Sequence, residues 1–190
     1  MRAGYAGLVE LGYKRIAITG DSAGGTLGSR APSLPLKASS LNNPVVPVAG
    51  VALSPVTDLS PSGASWTTRA AADPYFTQPQ AAELVRSYLN GLDPSDPVVS
   101  PLCADLTGLP PIRVHVGDDE VLLDDSVRFV DRTLAAGADA QLDIWEGMVH
   151  GFLGSVGQLS ASTQALQQIG SFLSECFTKN HSELADLTKN

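Results

Sequence analysis

The sequence predicts an α/β domain with a mainly parallel sheet flanked by helices, and three observations carry that prediction. Short apolar runs of strand length alternate with longer segments whose apolar residues recur at helical spacing. The first run, Arg15 to Thr19, opens directly into a turn of small residues, Gly20-Asp21-Ser22-Ala23-Gly24-Gly25. The 190 residues, 43% of them hydrophobic, are one domain's worth of chain with enough apolar side chains for a substantial core.

Ala3 to Gly12 reads as a helix that stops at a C-terminal glycine. Arg15 to Thr19 is the first strand. A helix should follow near Ala23, yet Thr26 to Ser40 contains Gly28, Pro32 and Pro35. An interior proline costs about 3 kcal/mol in a helix, so at most two turns are expected there, then irregular chain up to Asn42-Asn43. Val45 to Leu53 is the second strand, with Pro47 near its start, where a missing N–H is tolerated. Ile112 to Val116 is the third. Gln141 to Trp145 is the fourth, Leu142 and Ile144 alternating with Gln141 and Asp143. Between them Leu122 to Ala136 places Leu123, Val127, Val130 and Leu134 on one helical face. A last helix, Ser160 to Phe177, is expected to bury Leu166, Ile169, Phe172, Leu173 and Phe177. The domain is drawn over residues 1–180, with 181–190 as a frayed polar tail that includes a solvated His181. There is no internal repeat.

A formal charge of −8 argues against nucleic-acid or anionic-membrane partners, because an acidic surface repels phosphate. Cys103 and Cys176 lie far apart with no metal-ligand spacing, which reads as two free thiols in a reducing compartment rather than a disulfide or zinc site. No signal peptide opens the sequence, and no stretch approaches the roughly 20 apolar residues of a membrane span. These features give a cytoplasmic expectation. Neither a metal nor a phosphate-cradling glycine motif is indicated.

The stretch Gly20 to Gly24 fits G-x-S-x-G, in which a serine occupies a sharp strand-to-helix turn and small neighbours let the backbone fold back beneath it. Gly25 meets the same demand, since a side chain there would crowd the turn. The alternative is an ordinary glycine-rich turn. A serine hydroxyl is a poor nucleophile on its own and needs a base, an acid to orient the base, and donors for the developing oxyanion. His150 is the candidate base, a few residues past the fourth strand and beside Gly151; His115 sits mid-strand and reads as a packed structural residue. Five carboxylates, Asp118, Asp119, Glu120, Asp124 and Asp125, follow the third strand, where α/β sheets place their chemistry. Capping and dipole compensation at a helix start is the plainer reading of Asp124 and Asp125. The backbone N–H of Ala23, next after Ser22, is a candidate oxyanion donor. Asp58 reads as a turn residue, Trp66 and Trp145 as packing residues, and Tyr75 and Phe76 as core packing or pocket lining.

Four ordered blocks resemble the hormone-sensitive-lipase-like branch of the α/β-hydrolases: Gly20 to Gly25, Leu53-Ser54-Pro55-Val56-Thr57-Asp58-Leu59, Glu120-Val121-Leu122-Leu123-Asp124-Asp125-Ser126, and Gly147-Met148-Val149-His150-Gly151-Phe152. The resemblance covers nearly the whole chain, from about Tyr5 to Phe177. It implies a Ser22–Glu120–His150 triad, because Glu120 falls where the family's acid begins its Asp-Pro-Leu-x-Asp-Glu block, thirty residues (150 − 120) before the histidine. Asp124 is the fallback acid. It further implies a cofactor-free carboxylesterase or lipase acting on small to medium acyl esters, and a homodimer formed through the last strand and helix. The family's upstream His-Gly-Gly-Gly oxyanion block does not occur in this sequence, and only twenty-one residues precede Ser22. The chain therefore resembles the C-terminal half of such an enzyme, a partial fold with the first strands and the cap missing. A catalytically inactive remnant is the competing expectation, and a peptidase or amidase a third.

Overall fold

The computed structural model describes residues 2–28 and 45–187. Helix α1 (Arg2–Glu10) closes at Gly12, whose φ of 91° lets Tyr13 N–H reach back to the Leu8 carbonyl at 3.1 Å. Strands β1 (Ala17–Asp21), β2 (Ala49–Leu53), β3 (Ile112–Gly117) and β4 (Ala140–Trp145) form one parallel sheet in the order β1-β2-β3-β4. The first strand is thus set two residues later than the sequence suggests and delivers Ser22 directly from its end. Between β1 and β2 the short α2 (Ala23–Gly28) matches the expectation of no more than two turns, and the irregular chain expected after it lies outside the described residues.

Period-two alternation separates the two faces of the sheet. On one face Ala52, Ile112 and Val114 pack under Phe129 and Val130 of α5 (Leu123–Ala135). On that side α1 sets Tyr5 and Val9 against Ile16 and Ile18. On the other face Val51 meets Phe152, Ala165 and Ile169, the last two from α6 (Ser160–Leu187). The buried side of α5 runs through Asp125, Ser126, Phe129, Val130 and Thr133, while Leu134 is 50% exposed, so the helix is rotated from the expected stripe. The rotation seats the large Phe129 ring. Its polar neighbours stay satisfied, Ser126 and Thr133 each donating to the carbonyl four residues back, Leu122 and Phe129. On α6 the buried set likewise includes Ala165 and Cys176, and Leu166 turns outward. This helix runs on to Leu187, past the expected end at Phe177. The chain beyond Phe177 is rich in good helix formers and holds no Gly or Pro that would stop it.

The sequence signals missed α3 (Ser65–Thr68) and α4 (Gln78–Leu89). Helix α4 begins with a capping box in which Thr77 Oγ1 accepts from Gln80 N–H and Gln80 Oε1 accepts from Thr77 N–H. No helix among the described residues is long and apolar enough to cross a membrane.

His115 is fully buried in β3, where its Nδ1 accepts from Trp145 Nε1 at 3.1 Å. Burial holds its pKa down to about 4, and the nearby Asp143 only partly opposes that. The unfolded ring binds a proton near pH 6.5, so this residue's contribution is complete above 6.5 and lost as pH falls toward 4, about 3 kcal/mol in all. Asp125, pushed up to about 6 by burial, acts in the opposite sense over that range. Urea unfolding of the parent and of His115→Asn between pH 7 and 4 should therefore converge in stability as the pH falls, and parallel curves would refute this account.

Candidate active site

Ser22 stands between the last residue of β1 and the first of α2, with φ at 55°. That left-handed conformation is costly for a residue with a Cβ and persists only where surroundings enforce it. Ser22 N–H extends the ladder to Leu53 O at 2.8 Å, and Val56 N–H reaches Ser22 O at 3.4 Å. The glycines divide by necessity. A Cβ on Gly20 would lie 2.0 Å from the Gly24 carbonyl oxygen, and one on Gly25 would lie 3.0 Å from Pro55, whereas one on Gly24 meets nothing within 4 Å.

Glu120 and His150 come from the turns after β3 and β4. The Glu120 carboxylate is fully buried: Oε1 accepts from Gly117 N–H at 2.6 Å and from Ser54 Oγ at 2.7 Å, and Oε2 lies 2.8 Å from His150 Nδ1. A carboxylate only accepts, so Nδ1 carries the proton and Nε2 keeps its lone pair in the neutral ring. Burial pushes the His150 pKa down, but the hydrogen bond and charge of Glu120 outweigh it, with Asp21 and Asp73 adding, and hold the ring above its ordinary value. The two turns are strapped together: Asp119 N–H donates to Met148 O at 3.1 Å, and Gly147 N–H donates to Asp118 Oδ1 at 2.7 Å. A Cβ on Gly117 would sit 2.0 Å from Met148 O, so backbone meets backbone there.

Asp73 ties this pair to an aromatic wall. Its Oδ1 accepts from Tyr75 and Phe76 N–H, and its Oδ2 from Val121 N–H at 2.9 Å, beside Glu120. The Phe76 and Tyr75 rings stand edge-on to His150 at 5.0 and 6.5 Å between centroids. Phe76 also lines a cavity of about 520 Å³ with Ser22, Ala23, Gly24, Trp66 and, from α4, Leu84, Val85 and Tyr88. Phe76 and Trp66 are therefore packed and pocket-lining at once. Among the described residues no hydrogen bond joins Ser22 Oγ to His150; in unliganded sites such contacts are often long and tighten on binding.

The remaining carboxylates are structural. Asp124 Oδ2 accepts from Ser65 N–H at 2.9 Å, and Asp125 Oδ2 accepts from Thr57 and Asp58 N–H at 2.8 and 3.0 Å. Both sit in the first turn of α5 as expected, yet they brace the chain after β2 rather than the N–H groups of their own helix. Asp124, the fallback acid, faces Ser65, whereas the His150 ring pairs with Glu120. Asp58, pushed up by burial, is held down to about 2 by hydrogen bonds from Ser60, Ser62 and Arg128. Sequence reasoning places Asp73 on this side of the sheet and Ser54 in a family block but gives neither a role, and it misses α4, for which the Thr77-to-Gln80 capping box is the legible signal. The described residues contain no cluster of His, Cys, Asp or Glu able to hold a metal.

A parallel sheet with a strained serine at the end of β1 and a carboxylate–imidazole pair beyond the ends of β3 and β4 defines an α/β-hydrolase architecture. The family profile described as the alpha/beta hydrolase fold matches residues 6–154, and the chain belongs to that family. It is 36% identical over 173 residues to an acetyl-hydrolase of Streptomyces hygroscopicus, covering 90% of this chain and 56% of the relative. It is 34% identical over 160 residues to an esterase of Acinetobacter venetianus, covering 84% and 52%. Among solved structures, an esterase from the bacterial hormone-sensitive lipase family superposes with a TM-score of 0.83 at 41% identity, over 91% of this chain and 58% of that one. The chain thus spans little more than half the length of the relatives it matches.

Since Gly20 carries the close approach and Gly24 does not, Gly20→Ala should lower stability by about 3 kcal/mol or more, or prevent folding. Gly24→Ala should leave the thermal midpoint within a few degrees of the parent. Equal effects of the two, read by calorimetry, would remove the steric account of the turn.

Proposed function

We propose that this protein is a serine carboxylesterase of the hormone-sensitive-lipase-like branch, working through an acyl-enzyme with Ser22, Glu120 and His150 as its triad. In this reading Ser22 Oγ attacks the ester carbonyl carbon while its proton passes to His150 Nε2. The proton then goes to the departing alcohol oxygen, and water attacks the acyl-enzyme by the same route in reverse. Glu120 fixes the tautomer and stabilises the imidazolium. The Ala23 N–H, first of α2 and outside the intrahelical ladder, donates to the oxyanion. The observation that supports this most is the 2.8 Å contact between the fully buried Glu120 carboxylate and the His150 ring, beside the strand-to-helix serine.

The cavity supports a medium-length, uncharged acyl or alcohol group. It holds about 520 Å³, and its walls are mostly apolar, with Val56, Leu59, Trp66, Phe76 and Val85 among them and no free cation among the described lining residues to receive an anionic chain. Acyl transfer of this kind calls for no cofactor or metal. Two unpaired thiols, Cys103 and Cys176, accord with a cytoplasmic setting. Exposed Ile144 on the edge strand β4 supports pairing of two copies along that strand.

The test is hydrolysis of p-nitrophenyl esters from acetate to octanoate, with labelling of Ser22 by a fluorophosphonate. Ser22→Ala should abolish both, and Glu120→Gln should lower kcat by about 10⁴ through loss of the correct tautomer. Asp124→Ala should keep kcat within a few-fold and lose about 1 kcal/mol of stability. Because the base acts as neutral imidazole, kcat/KM should fall with decreasing pH through a pKa above 6.5. A folded parent that neither turns over nor labels would return the inactive scaffold as the correct reading.

A further inference from the structure

We infer that Ser54 is a positioning residue for the acid–imidazole pair, its hydroxyl acting through Glu120 to set how strongly the carboxylate binds the His150 ring. The inference rests on the proposed roles of Glu120 and His150 and extends them to a residue outside the triad.

Ser54 follows β2 immediately and is 1% exposed. Its φ of 40° is left-handed, a conformation that glycine adopts freely and serine does not. Its backbone is held by Ser54 N–H donating to His115 O at 2.8 Å. A serine at such a position carries a strain that glycine would relieve, and what it adds is one hydroxyl. That hydroxyl donates to Glu120 Oε1 at 2.7 Å. The same oxygen takes the Gly117 N–H at 2.6 Å, so one carboxylate oxygen is fixed by two donors and the other is left for the imidazole. A hydroxyl donor beside a buried anion stabilises it directionally and fixes its rotamer. Removing the donor leaves the anion with more of its charge to share with the imidazolium. The charges that reach His150 are Glu120 from the turn after β3, Asp21 from the end of β1 and Asp73 from the loop before α4, and none of these changes with residue 54.

The experiment is the titration of the His150 ring by NMR in the full chain, whose three histidines give a resolvable spectrum. Parent, Ser54→Ala and Ser54→Gly are compared. Both variants lose the hydroxyl, and only glycine relieves the strained backbone. The His150 pKa should rise by about one pH unit in both, from loss of one charge-assisted hydrogen bond. Ser54→Cys, which keeps the shape and a weaker donor, should fall between them and the parent, and it serves if the other two fail to fold. With an ester substrate, kcat should drop by about tenfold to a hundredfold at unchanged KM. A titration that stays in place or moves down in any folded variant, or one that shifts in Ala but not in Gly, would overturn the inference. The titration needs no turnover, so a parent inert toward esters would sink the esterase reading while leaving the role of Ser54 to be judged on the ring alone.

Discussion

A carboxylate with no solvent contact is the most demanding group in this fold, and the neighbourhood of Glu120 shows what its ionised form requires. Transfer of a bare carboxylate from water into a protein interior is prohibitive, so each oxygen must find donors inside the chain. Gly117 supplies a backbone N–H from the end of β3, Ser54 a hydroxyl from the end of β2, and His150 a ring N–H from the loop after β4. Three consecutive strands must therefore end at the same level for one side chain to be buried charged. The sheet register delivers this: Leu53 stands opposite His115, and Gly117 opposite Trp145.

The close contacts around the pair turn that register into fixed positions. Met148 O presses on Gly117, and Gly24 O presses on Gly20, each leaving no room for a Cβ. Packed backbone of this kind does not relax by rotamer change, unlike a contact between two flexible side chains. His150 is thus held by the rigid approach of two turns and by its hydrogen bond to Glu120. Asp73 adds a third support, because one carboxylate fastens both the Val121 amide and the loop bearing Phe76. Aromatic edges packed on the ring restrict its tilt, and burial of the imidazole is tolerated because Glu120 opposes the desolvation.

Much of this is legible in the amino-acid sequence. The turn at Ser22 announces itself because sharp backbone reversals admit only small residues at fixed offsets. His150 stands out because it follows an alternating strand and sits beside a glycine, Gly151, with φ at 74°. The acid was different. Five carboxylates crowd one loop, and nothing in their residue types separates them; the choice is made by which one can reach the Gly117 amide while α5 turns Asp124 and Asp125 toward the chain after β2. Resemblance to a family selected Glu120 where chemistry alone left the choice open. Helix α4 escaped notice because its apolar residues do not form one buried stripe: Leu84 and Tyr88 line a cavity and are 60% and 64% exposed. The buried face of α5 differs from its hydrophobic pattern because Ser126 and Thr133 bury their hydroxyls against their own helix.

The walls of the cavity and the supports of the acid belong to different stretches of chain. Leu84, Val85 and Tyr88 hang from a capped helix whose outer surface meets solvent, while Gly117, Glu120 and Met148 are wedged at the sheet rim. A descendant of this sequence can therefore trade bulk along α4 and change which guests it accommodates without renegotiating the geometry at the rim. Lineages built on this plan can reshape the cavity wall while the packed rim stays as it is.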